Sequence, residues 1–276
     1  MRYTIDNTLA RAGELAGEFE RRVGDVDPVE RGIAVSEALF VFATVADLRP
    51  RQIIESGRAL GQSTYLLGRA FPDTRIISIE ANASHPDAEP ALERLRGLAN
   101  VECLFGNSRV LLPQLTQPGD VVIIDGPKRF RALKLAYKVM RRRQPALVFI
   151  HDCERGTPFR RFVETRIPWS FFSDDHRFVQ QYCRLDRYLD DAEIRRWSDP
   201  DHRPQDESYA GTFGCIPARP GFPGLGALLG VVVARLATNV SDSVSKRAVN
   251  APGSSQQAGR PCRGDETATP DAGASS

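Results

Sequence analysis

With 276 residues, 41% of them hydrophobic and 26% charged, the chain has the balance of a globular protein able to build a sizeable core. Its formal charge of +2 excludes a global electrostatic case for nucleic acid as a partner. Five cysteines, scattered and odd in number without a C-x-x-C pair, argue against a disulfide framework or a structural zinc site and fit a reducing cytoplasm.

Met1 to Asp6 runs straight into a polar amphipathic pattern, so no secretion signal is expected. Leu9, Ala12, Leu15, Ala16 and Phe19 recur at helical spacing, as do Ile33, Val35, Leu39, Phe40 and Ala43. Residues 1–48 are therefore expected to form two helices that pack on a core domain. From there the pattern alternates. Strands are predicted at 52–55, 75–80, 101–105, 120–124 and 146–151, with helices at 62–70, 90–98, 109–115, 130–143 and 159–165 between and after them. Five apolar strands separated by helices imply a mostly parallel sheet covered on both faces. Residues 178–184 and 209–216 are predicted as further strands, an antiparallel edge hairpin, with 186–207 an irregular insertion. The α/β domain then spans residues 49–218.

Past Arg219 the composition shifts to Gly, Pro, Ala and Ser, and residues 219–276 are expected to be a low-complexity tail, disordered from 250. Within it, residues 225–234 are apolar but short for a bilayer span, so a surface-docked helix is expected and a membrane-spanning one is not. Lys134, Lys138, Arg141, Arg142 and Arg143 crowd one helix and are expected to be a solvated face suited to a helix C-terminus. Arg155, Arg160 and Arg161 are candidates for selecting an anionic or sugar-like ligand. Trp169, Phe171, Phe172 and Trp197 are either core or pocket wall.

In an open parallel sheet, ligands bind beyond the carboxyl ends of the strands. The residues there are Glu55 to Gly61, Glu80, Gly106 to Ser108, Asp125 to Lys128, and His151 to Cys153. The turn Glu55-x-Gly57-x-Ala59-x-Gly61 opens onto Gln62-Ser63-Thr64, where a helix start presents unpaired N–H groups. A dinucleotide fingerprint starting at Gly57 would need glycine at 59 and 62, which are alanine and glutamine. Asp125 and Asp152 end neighbouring strands, where two carboxylates are able to hold a hard divalent cation such as Mg.

This pattern resembles class I S-adenosylmethionine-dependent methyltransferases over roughly residues 36–216, with a Rossmann-like, doubly wound seven-strand sheet, mostly parallel with an antiparallel edge strand. The resemblance implies that Glu55, Gly57 and Gly61 line the methionine part of S-adenosylmethionine, that Glu80 binds the ribose hydroxyls and Ser108 lies near the adenine, and that Ala59, Ser63 and Asp125 also bind the cofactor. Asp125-x-x-Lys128 with Asp152 is similar to the metal-dependent O-methyltransferase branch, which implies Asp125 and Asp152 as metal ligands and Lys128 as base. Cys153 stands where that branch has asparagine. His151 starts nearer neutrality than Lys128 and is a second candidate base. The expected activity is methyl transfer to an oxygen of a small molecule or sugar, with no nucleic acid or membrane partner. A catalytically silent cofactor-binding module and an NAD-dependent oxidoreductase are the alternatives.

Overall fold

A computed structural model describes residues 3–24, 26, 29, 32–186, 191–202, 207–224, 226, 227 and 229–235. Seven strands form one sheet in the order β3-β2-β1-β4-β5-β7-β6: β1 (Gln52–Ser56), β2 (Arg75–Glu80), β3 (Val101–Phe105), β4 (Val121–Ile124), β5 (Leu147–Ile150), β6 (Phe171–Phe172) and β7 (Gly214–Pro217). The first five are parallel. The antiparallel strand β7 is inserted between β5 and the two-residue edge strand β6.

The strands read as continuous apolar runs because both faces are covered. Alternate residues feed opposite layers: Ile53, Val121, Ile123 and Phe149 join a core with α1 (Ile5–Val23), α2 (Val35–Val45) and α3 (Gln62–Ala70). Ile54, Val122, Ile124 and Ile150 join one with α6 (Phe130–Arg143) and α7 (Pro158–Arg166). Two further helices flank the sheet, α4 (Ala88–Leu95) and α5 (Ser108–Leu115). The order reverses between β1 and β4, which makes their carboxyl ends the switch point where a ligand crevice opens.

Two expectations are corrected. Residues 178–184 are not a strand: α8 (His176–Tyr182) and a 3-10 turn, Cys183–Leu185, occupy them. The side chain of Asp175 accepts from Arg177 N and caps the helix, while Phe178, Val179 and Tyr182 share its buried face at helical spacing. The insertion at 186–207 is not wholly irregular, since it contains α9 (Asp191–Ser198). Trp197 of α9 packs on Val179, Cys183 and Tyr209, so it is core. The insertion is pinned to α2 by Asp186, which accepts from Ser36 N (2.9 Å), Ser36 Oγ (2.6 Å) and Tyr209 Oη (2.6 Å).

Among the described residues no helix is long and apolar enough to cross a membrane. Of the tail expected at 219–276, residues 236–276 lie outside the described residues. Residues 226, 227 and 229–235 are helical, and Val231 is buried against the α6 and α7 layer.

Candidate active site

The turn after β1 is forced close to the end of β4. Gly57 has φ +90°, and a Cβ there would stand 2.7 Å from Gly126 N and 3.0 Å from the Asp125 carbonyl carbon. Only glycine tolerates both the conformation and the approach. Gly61, also left-handed at φ 80°, caps α3. Ala59 adopts φ 44° between them, a conformation that costs an alanine about 1–2 kcal/mol. The turn is held from below by Glu80, whose Oε2 accepts from Arg58 N (3.1 Å) and Ala59 N (3.2 Å) and whose Oε1 accepts from Ala81 N (2.6 Å).

A cavity of about 320 Å³ opens over this turn. Its walls include Gly57, Ala59, Ser63, Glu80, Asp125 and Lys128. The far wall comes from the segment before α2, fastened by Gln62, whose Oε1 accepts from Val29 N (2.6 Å) and whose Nε2 donates to Ile33 O (2.7 Å). Glu55, by contrast, lies beneath the turn and is fully buried, accepting from Thr64 Oγ1 and from Ser78 Oγ (3.0 Å). Burial raises its pKa against those hydrogen bonds. Gly61 sits against Ala91, and Ser108 Oγ donates to Gly126 O (3.2 Å), as Ser56 Oγ also does (2.6 Å). Neither Gly61 nor Ser108 forms the cavity wall.

Beside the cavity, β4 and β5 bring together the expected Asp125, Lys128, His151 and Asp152. Lys128 Nζ donates to Asp125 Oδ1 and lies 2.9 Å from Asp152 Oδ2. His151 Nδ1 lies 2.8 Å from Asp125 Oδ1 and 3.2 Å from Asp152 Oδ1. Asp152 adopts φ +58°, a strained conformation for a residue with a side chain, and this turns its carboxylate into the cluster. The outer nitrogen, Nε2, faces Glu37 Oε1 at 3.5 Å. Glu37 is buried in α2, with its other oxygen accepting from Ala34 N at 2.8 Å. Phe213 packs on the imidazole, and a Cβ on Gly211 would stand 2.4 Å from Nε2.

Charge sets the protonation of this cluster. Burial alone would depress the His151 pKa, but Glu37, Asp125 and Asp152 hold it well above 6.5. Burial opposes the ionised forms of the aspartates too, yet hydrogen bonds from His151 and Lys128 lower Asp125 and bring Asp152 down to about 2. Lys128 is raised by the two aspartates in spite of partial burial. The cluster at neutral pH is therefore two carboxylates neutralised by an imidazolium and an ammonium. Cys153 faces away: its Sγ donates to Ile150 O at 3.2 Å, and burial pushes the thiol up to about 12.

Three residues here were assigned no role in the site by sequence reasoning: Glu37, Gln62 and Gly211. Glu37 left a signal, a lone carboxylate in the otherwise apolar α2, VSEALFVFATV. Gln62 and Gly211 left none, because their partners are far apart in the chain. Of the candidate arginines, Arg155 and Arg160 ion-pair with the buried Asp174, and Arg160 also stacks over Phe172.

Residues 54–153 match the family model of a methyltransferase domain. Among the solved structures similar to the chain are two O-methyltransferases. The O-methyltransferase TomG from Streptomyces achromogenes, involved in tomaymycin synthesis and determined in complex with SAM, is 21% identical, with 79% of this chain and 92% of that one covered and a TM-score of 0.43. The O-methyltransferase from Bacillus cereus in complex with SAH is 18% identical, with 78% and 98% covered and a TM-score of 0.42. No curated protein matches the chain. The matched segment runs from β1 to the end of β5 and contains every strand end that builds the cavity. Residues 54–153 thus match a methyltransferase domain and lie on a doubly wound, Rossmann-like sheet.

Proposed function

We propose that the protein transfers the methyl group of S-adenosylmethionine to an oxygen of a small molecule or sugar. One observation carries the reading: the Gly57 to Ser63 turn, Glu80 and the Asp125–Lys128 pair meet in a single cavity at the switch point of a methyltransferase domain. The cavity has the size of a small-ligand site. Glu80, Asp87 and Asp125 put three carboxylates on its walls, which suits a donor carrying a positive sulfonium.

The donor supplies an electrophilic methyl group, and the rest is positioning. The acceptor oxygen bonds to the methyl carbon as the carbon–sulfur bond breaks, the sulfur leaves with the electron pair as a neutral thioether, the hydroxyl proton passes to solvent, and in-line placement of both reactants supplies most of the rate. Lys128, half exposed at the cluster's mouth, is assigned to favour the deprotonated form of the acceptor oxygen as an ammonium donor. Asp125 and Asp152 accept the hydroxyl's hydrogen bond. Glu37 and His151 are positioning residues that fix both aspartates from behind. Lys128 and His151, each held in its protonated form, are poor proton acceptors, so neither is assigned as the base.

The donor set does not fit magnesium. Asp125, His151 and Asp152 offer three ligand atoms within 4.8 Å of one another, but only two of them are oxygens, both aspartates are already paired with the Lys128 ammonium, and Cys153 points elsewhere. Magnesium requires near-octahedral oxygen ligation. Lys128 and His151 instead supply the positive charge between the carboxylates.

Calorimetric titration with S-adenosylmethionine and with its demethylated product tests the reading. Binding is expected at sub-millimolar concentration for both, and absence of binding there sinks it.

A further inference from the structure

Away from the active site, α6 presents Arg131, Lys134, Lys138, Arg141 and Arg142 along one face, at spacings of three, four, three and one residues. With Arg109 of α5 and Arg235 they line a groove of about 370 Å³ whose only other wall residue is Leu135. No carboxylate and no aromatic ring lines it. Arg131, Lys134, Arg141 and Arg142 form no ion pair among the described residues, and Lys138 Nζ donates only to the Arg109 carbonyl, at 2.8 Å. From Arg131 to Arg142 the groove runs about 16 Å at the rise of an α-helix.

A solvated face of a helix would end there, but this one continues into apolar surface. Six large hydrophobic side chains are exposed among the described residues, and three belong to the helical segment 229–235: Leu229 (60%), Val232 (39%) and Val233 (64%). They share a side of the helix, at i, i+3 and i+4, while Val231 and Ala234 face the core. Val232 is three residues before Arg235, so the apolar stripe runs directly into the basic groove.

We propose that this surface docks on an anionic lipid bilayer, with phosphate-bearing headgroups in the α6 groove and Leu229, Val232 and Val233 entering the headgroup layer. Lying on a bilayer needs a basic face beside an apolar one, not the length of a spanning helix. Both components are present and adjacent. A single-stranded nucleic acid would use the cations but leave the aliphatic stripe in water, and would be expected to find aromatic stacking platforms that the groove lacks. The chain's own residues 236–276 carry four acidic and four basic side chains, so they offer no net charge to complement the groove.

Co-sedimentation of the full chain with phosphatidylserine–phosphatidylcholine vesicles and with pure phosphatidylcholine vesicles tests this. Binding is expected only to the anionic vesicles, falling as salt rises. Lys134→Ala with Arg142→Ala should weaken it about 30-fold, from about 1 kcal/mol per cation at the surface, and Val233→Ser should weaken it at unchanged salt dependence. All three substitutions are at exposed positions away from the cavity, and unchanged thermal melting verifies the fold. Failure to sediment with either vesicle overturns the proposal, as do equal binding to both, insensitivity to either variant, or displacement from vesicles by equimolar single-stranded RNA.

Discussion

Glu37 Oε1 and His151 Nε2 face each other 3.5 Å apart in the interior, and neither atom has a hydrogen-bond partner among the described residues. The helix that precedes the sheet thus reaches across to the end of β5 and sets the charge of the site. Replacing the carboxylate by its neutral isostere, Glu37→Gln, leaves shape nearly unchanged and removes the largest cause that raises the His151 pKa. His151 should then titrate at lower pH than in the parent. The sign for stability follows. Because the folded pKa lies above 6.5, the pair's contribution is present below pH 6.5 and lost as pH rises through the folded value. Glu37→Gln should therefore flatten the alkaline fall in thermal stability. Imidazole titration by NMR checks it, and an unmoved His151 pKa refutes the assignment.

The charge of that cluster also predicts how methyl transfer responds to chelators. With an ammonium and an imidazolium between Asp125 and Asp152, activity on an accepted substrate should survive excess EDTA within about twofold. Lys128→Ala should lower kcat about 100-fold, the scale on which single electrostatic groups act. Activity abolished by EDTA and restored by magnesium would reject the metal-free reading of the donor set.

The turn over the cavity gives a paired test. Gly57→Ala drives a Cβ to 2.7 Å from Gly126 N and should cost more than about 1 kcal/mol together with donor binding. Ala59→Gly relieves a left-handed alanine but adds chain entropy to the unfolded state, so stability should stay within about 1 kcal/mol of the parent. Chemical denaturation and calorimetry on both variants separate them. Equal behaviour would mean that the close approach of β1 and β4 does not matter.

How far this was legible from sequence depends on the range of the contacts. Strands β1 to β5 and their helices announced themselves because burial on both faces writes continuous apolar runs, as in Val121 to Ile124. Strand-end residues such as Glu80 and Asp125 followed from the topology rule alone. Residues 178–184 misled because Phe178, Val179 and Tyr182 have strand-like composition, while the deciding cap, Asp175, precedes the apolar segment in the chain. Glu55 and Glu80 both lie at the carboxyl ends of neighbouring strands, one residue before the end of β1 and at the end of β2, yet one is sealed under the turn and the other lines the cavity, a distinction set by the turn's fold in space.

Gln62 is the fastener between the α3 terminus and the segment before α2. Its amide satisfies Val29 N and Ile33 O, and Gly32 is in such contact that a Cβ would stand 2.6 Å from Gln62 Cδ. Gln62→Ala should release that wall, weakening donor binding about tenfold at a stability cost of about 1–3 kcal/mol for the lost hydrogen bonds. Calorimetry and amide exchange at Val29 read the two effects, and unchanged donor affinity would mean that this wall is not part of the site.

Asp186 extends the same logic to the insertion. Burial pushes its pKa up to about 6, against hydrogen bonds from Ser36 and Tyr209 that favour the carboxylate. A folded pKa above the ordinary 3.8 means that its protonated form stabilises the fold. That contribution is full below pH 3.8 and lost as pH rises through about 6, by about 3 kcal/mol at most. Other carboxylates act in the opposite direction, since Asp125 and Asp152 are depressed and lose their contribution on acidification. The informative quantity is thus the difference between the parent and Asp186→Asn, which cannot titrate. Relative to that variant, the parent should lose stability between pH 4 and pH 6 in urea denaturation. A constant difference across the window would show that Asp186 titrates normally. Ser36 precedes Glu37 in α2, so a loosened Asp186 contact should also be felt at His151, as a lower imidazole pKa in Asp186→Asn than in the parent.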